Sequence, residues 1–225
     1  MLVTSFLYKC TKQSEKILLS FTIGGLKMDI IEEAKQWMEN YFLSETTGHD
    51  WEHIERVWKT SIYLQKHEGG DYQLISLIAL FHDFMDEKLT TAPGEKEKEL
   101  KQWLETHHLV SEKIEEVMHG IKAVSFKKGK NPYQAVSIEE KIVQDADRLD
   151  AIGAIGIARA FTYGGSKGRP ITSKSNPEES TVYHFYEKLF LIKDLMKTKS
   201  GKELAEKRHK LMEHFIQELK AEISL

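Results

Sequence analysis

Ten side chains bear chemistry in unusual settings: His49, Asp50, His53, His82, Asp83, Asp86, His119, Asp145, Asp147 and Asp150. His82-Asp83 closes the almost wholly apolar run from Leu74 to Phe81. A charge or an unsatisfied imidazole buried there is costly unless a partner compensates for it. A divalent metal is one such partner; a helix-end role, with His82 bonding the last carbonyls, is the other. His49 and His53 stand four residues apart, which on a helix gives one face able to chelate, although solvated histidines show the same spacing. Asp145, Asp147 and Asp150 interrupt Ile142, Val143, Leu149, Ile152 and Ile155, too apolar a setting for a solvent-facing stripe. Together the set offers imidazole and carboxylate but no thiolate. That donor mix suits Mn, Mg, Fe, Co, Ni or Zn with open positions rather than a closed structural zinc site. Such a metal lowers the pKa of a bound water towards about 7 and draws charge from a carbonyl or phosphoryl oxygen alike.

These groups must be positioned by helices. Asp29 caps a first helix in which Ile30, Ile31, Ala34, Trp37, Met38, Tyr41 and Phe42 recur at three- and four-residue spacing. A second starts near Gly48 and ends before Gly69-Gly70. A third begins at Asp71, its length favouring a buried helix over a buried strand. Pro93 sits at the first position of a fourth helix, and Ser111 caps a fifth. Ser137 with Glu140 forms a capping box that opens the longest helix, expected to reach about Phe161. Tyr163–Thr181 is the one long irregular stretch. Two more helices close the chain, the last opened by a second capping box, Ser200 with Glu203. No repeat and no convincing strand pair is present, so the expected fold is all-α, a single-domain helical bundle with non-uniform crossing angles.

Composition narrows the function classes. The chain has 225 residues, 40% hydrophobic and 30% charged, which is globular rather than disordered composition. Its 32 Lys+Arg and 35 Asp+Glu give a formal net charge of −3, against nucleic acid as a partner. The lone cysteine, Cys10, excludes an internal disulfide framework and any multi-cysteine metal site. Residues 1–27 read as an N-terminal extension whose apolar run, Ile17–Ile23, is too short to span a bilayer. Met28 is an alternative start, because Gly24-Gly25 can be encoded by a purine-rich ribosome-binding stretch. A cytoplasmic protein with no membrane partner is expected, and a homodimer is left open.

Three blocks in order carry a family resemblance. They are Gly48-His49-Asp50-Trp51-x-His53-Ile54-x-Arg56-Val57, then His82-Asp83, then Asp145-Ala146-Asp147-Arg148-Leu149-Asp150 and the Ala/Ile/Gly run after it. With 29 residues from His53 to His82 and 64 from Asp83 to Asp147, the chain from residue 28 onward resembles the HD superfamily of metal-dependent phosphohydrolases. The likeness is to its bacterial single-domain hydrolase subgroup.

The resemblance implies one divalent metal held by His53, His82, Asp83 and Asp147, with His53 and Asp83 counted among the catalytic groups. Periodicity alone does not choose between Asp145 and Asp147; the small-Asp-basic-Leu signature chooses Asp147, leaving Asp145 to orient an imidazole. Asp86, placed on the face of His82 and Asp83 by a continuing helix, is expected to transfer protons. Arg148 resembles a phosphate-contacting residue, and His49, Lys88, His119 and Lys188 are further substrate contacts, with Gly120 leaving room for a ligand. The basic segment around Lys167, Arg169 and Lys174 reads as a lid. The implied activity is hydrolysis of a phosphate ester or anhydride of a nucleotide by metal-activated water, a (deoxy)nucleoside triphosphate being favoured. The alternatives are a phosphodiesterase acting on a cyclic or signalling nucleotide, and a nucleotide-binding sensor with negligible turnover.

Overall fold

A computed structural model describes residues 29–42, 50–86, 89–90, 92–125 and 131–224. No strand occurs among them, as the periodicity predicts. The α-helices are α1 (Ile30–Phe42), α2 (Trp51–Glu68), α3 (Tyr72–Phe81), α4 (Pro93–Thr106), α5 (Ser111–Val124), α6 (Ile138–Asp150), α7 (Gly153–Ser166), α8 (Thr181–Glu187) and α9 (Lys199–Ile223). Short 3-10 turns cover Pro177–Glu179 and Leu189–Leu195.

The central element is α3. Asp71 caps it by accepting the N–H groups of Gln73 (2.9 Å) and Leu74 (3.0 Å), and every residue from Leu74 to Phe81 is buried. Around it pack α1, α2, α5 and α6. Gly120 allows the α5 contact: a Cβ there would collide with Ile78. The space beside Gly120 is thus filled by core and does not receive a ligand, contrary to the sequence expectation.

Several boundaries differ from expectation for definite reasons. Asp50 is the N-cap of α2, accepting the His53 N–H at 2.9 Å, so this helix starts at Trp51 rather than near Gly48. Ser111 is the first residue of α5, with Val110 at the cap and no side-chain capping bond. The capping box of Ser137 and Glu140 forms as expected, but the long helix breaks after Asp150. Ile152 is extended and Gly153 takes φ +78° to begin α7. Arg208 of α9 lies where a Gly153 Cβ would stand, and its guanidinium donates to the Leu149 carbonyl at the end of α6. In the C-terminal part, α7 runs to Ser166, shortening the irregular stretch. Thr198, not Ser200, caps α9: its hydroxyl accepts the Gly201 N–H at 3.0 Å, while the Ser200 N–H donates to Glu68 at 2.6 Å.

Candidate metal centre

Three helix-borne segments converge at one point. His53 comes from the first turn of α2, His82 is the C-cap of α3, Asp83 follows it, and Asp147 sits in the last turn of α6. The turn bearing Asp83 is anchored by Phe84, fully buried against Trp37 (5.0 Å between ring centres) and Tyr41 (4.9 Å). Candidate ligand atoms of His53, His82 and Asp147 all lie within 4.8 Å of one another. The two Nε2 atoms are 3.3 Å apart. Asp83 Oδ2 is 3.5 Å from His53 Nε2 and 3.4 Å from His82 Nε2; Asp147 Oδ1 is 3.7 and 3.9 Å from the same atoms. Both imidazoles are buried, and Asp147, 29% exposed, is the most open member of the group.

Hydrogen bonding fixes what this cluster can accept. His82 Nδ1 lies 2.8 Å from the Ala79 carbonyl, which only accepts, so Nδ1 carries the proton. His53 Nδ1 likewise donates to Asp150 Oδ2 at 2.8 Å. In the neutral rings both Nε2 lone pairs therefore face each other and two carboxylates. Four atoms of the type that ligate metals thus meet at one point, an arrangement that a bound cation would favour. The donor set fits a divalent metal: two neutral imidazoles and two carboxylates cancel its charge. The same field acts on protons. Burial lowers the pKa of His53, but Asp150, Asp83 and Asp147 outweigh it and raise the value to about 9. Burial opposes ionisation of Asp150, yet His53 and Arg56 hold its carboxyl well below the usual range.

The remaining candidates fall in different places. Asp86 is half-buried beyond α3; its N–H donates to the Asp83 carbonyl at 3.1 Å in a turn, so it is not carried on a continuing helix. Asp145 does not orient an imidazole. Fully buried, it accepts the N–H groups of Lys197 (2.9 and 3.0 Å) and Thr198 (2.7 Å) and the Thr198 hydroxyl (2.7 Å), anchoring the start of α9. The carboxylate against His53 is Asp150, a contact 97 residues apart in sequence that local pattern does not reveal. Arg148 reaches the Leu195 carbonyl at 2.5 Å; burial lowers its pKa against the pull of Asp145 and Asp147. His119, on α5, pairs with buried Glu140 at 2.5 Å. Lys188 is exposed at the C-cap of α8. His49 and Lys88 lie outside the described residues, as does the 1–27 extension.

A bundle whose helix ends bring two imidazoles and two carboxylates to one point has a site that could hold a metal ion. Residues 50–152 match the HD domain family, from the cap of α2 to just past α6, and the chain belongs to the HD superfamily. Bacillus subtilis YpgQ is 39% identical over 193 residues, 85% of this chain and 93% of YpgQ. The structure of Lin1889 from Listeria innocua is 47% identical, with a TM-score of 0.74 over 88% of this chain and 99% of that one. YpgQ in complex with ADP gives 37% and 0.73 over 86% and 97%. An HD-superfamily hydrolase from Bacillus thuringiensis gives 42% and 0.74 over 86% and 96%.

Proposed function

We propose that this chain is a divalent-metal-dependent phosphohydrolase cleaving a phosphate ester or anhydride of a nucleotide, with (deoxy)nucleoside triphosphates as the favoured substrates. The observation that carries the reading is the convergence of His53 Nε2, His82 Nε2, Asp83 Oδ2 and Asp147 Oδ1 at one point. ADP was bound by the related YpgQ, which supports a nucleotide as the ligand here. His53, His82, Asp83 and Asp147 would hold the metal, which when bound supplies Lewis-acid stabilisation of phosphoryl charge and a nucleophile at neutral pH.

The chain's own residues do the rest. The rings of His53 and His82 are locked by their Nδ1 bonds, so their Nε2 atoms need no reorientation when the cation arrives. His53 and His82 are buried on α2 and at the end of α3, and Asp147, the most exposed of the four, marks the side from which substrate would approach. Asp86, half-buried three residues past Asp83, is the proton-transfer group in this reading. A phosphate-release screen over nucleoside mono-, di- and triphosphates with Mn, Co, Ni and Mg tests it, the products resolved by chromatography. Cleavage abolished by chelator and restored by metal is expected; no turnover with any nucleotide overturns the reading.

A further inference from the structure

The last turn of α6 carries Asp147 and, at its end, Asp150, and no further helical turn follows to hold it. Its closing bonds are tightened ones: the Ala151 N–H donates to the Arg148 carbonyl and the Ile152 N–H to the Leu149 carbonyl, both at 3.2 Å. A further donor arrives from the far end of the chain. Arg208, on the face of α9 that also carries buried Ala205 and Met212, donates from Nη1 to the Leu149 carbonyl. That oxygen lies two residues beyond Asp147 and one before Asp150.

Two features make this contact more than a helix end resting on its neighbour. Helix-terminal carbonyls at a surface are satisfied by water. This one takes a half-buried guanidinium instead, whose own burial lowers its pKa while Asp150 pulls the other way. The backbone also makes room for it. Gly153, at φ +78°, stands just past the break, and a Cβ on it would lie 2.8 Å from Arg208 Cγ. Asp145, by contrast, meets the start of α9 a turn earlier, where the ladder of α6 still holds the backbone on both sides.

Resting on the reading that His53, His82, Asp83 and Asp147 hold a metal, we propose that Arg208 is a positioning residue for that site. It fixes the last turn of α6 against α9 and so sets where Asp147 Oδ1 stands relative to His53 Nε2 (3.7 Å) and His82 Nε2 (3.9 Å). Arg208 acts through the backbone of α6 and touches neither metal nor substrate in this role. Gly153 is the gap that admits it.

The test compares wild type, Arg208→Met, Gly153→Ala and Asp145→Asn, each loaded with Mn well below its melting temperature. Mn affinity is read by competition with a chromophoric chelator, and the arrangement of ligands around Mn by electron paramagnetic resonance at saturation. Arg208→Met removes the donor and Gly153→Ala displaces it from the other side. Both are expected to weaken Mn binding about tenfold and to change the spectrum of the bound ion. Asp145→Asn, which loosens the start of α9, is expected to lower the melting temperature yet keep wild-type Mn affinity and spectrum. If either Arg208→Met or Gly153→Ala folds and binds Mn within about threefold of wild type, with the wild-type spectrum, the positioning role is overturned. An equal loss in Asp145→Asn also overturns it, since the effect is then general loosening. Wild type that binds no Mn overturns the metal reading and this inference with it, whereas wild type that binds Mn beside two unaffected variants removes the inference alone.

Discussion

His53 and His82 are held by different acceptors, a carboxylate on one ring and the Ala79 carbonyl on the other, yet both present Nε2 to the same point. Asp83 touches both of those nitrogens, so Asp83→Ala should lose metal and turnover together, as metal analysis and phosphate release on the same sample will show. Asp86→Ala should keep its metal and lose about 10²- to 10⁴-fold in turnover; a fully active variant refutes the proton-transfer role. Much of this was legible in residue types, because an imidazole and a carboxylate ending a helix as apolar as Leu74–Phe81 demand compensation. Asp150 was not. It lies on α6, most of whose residues are buried, polar ones included, so Asp145, Asp147 and Asp150 look alike until α2, α7 and α9 arrive to distinguish them.

Helices set where those residues meet, and their ends are the measurable parts. The Asp71 cap of α3 should contribute about 1 kcal/mol, read as the loss in denaturant unfolding of Asp71→Ala. The Leu74 N–H holds the Asp71 carboxyl below its ordinary value of 3.8, against burial and with help from Lys113. This contribution is therefore fully present above pH 3.8 and is lost as the pH falls through the lower folded-state value, so wild type and Asp71→Ala should converge in stability in acid. At the crossing of α3 and α5, Gly120→Ala should destabilise by about 1–3 kcal/mol, since Ile78 must move. Helix existence was readable from the three-four spacing and from caps such as Asp29, Asp71 and the Ser137–Glu140 box. The break at Gly153 was not, because it depends on Arg208 from the far end of the chain. Thr198 and Ser200 are both competent caps by type, and only Asp145 and Glu68 decide between them.

Over the whole molecule, α3 gathers α1, α2, α5 and α6, and α9 packs across α2, α6 and α7. The candidate metal centre lies where these packings meet, so metal binding couples to global stability. Mn at about 100 times its Kd should stabilise the fold by about 2.7 kcal/mol. In a thermal melt of a chain this size that is a rise of roughly 5–11 °C, reversed by chelator; an unchanged melt contradicts binding to the folded state. The central claim is that Asp147, with His53, His82 and Asp83, holds the metal, while Asp145 serves only to pin α9. Metal content measured by mass spectrometry after Mn loading and desalting, on wild type, Asp147→Asn and Asp145→Asn, tests it most directly. The account predicts close to one Mn per chain in wild type and in Asp145→Asn and almost none in Asp147→Asn. Metal retained by Asp147→Asn but lost from Asp145→Asn would contradict it.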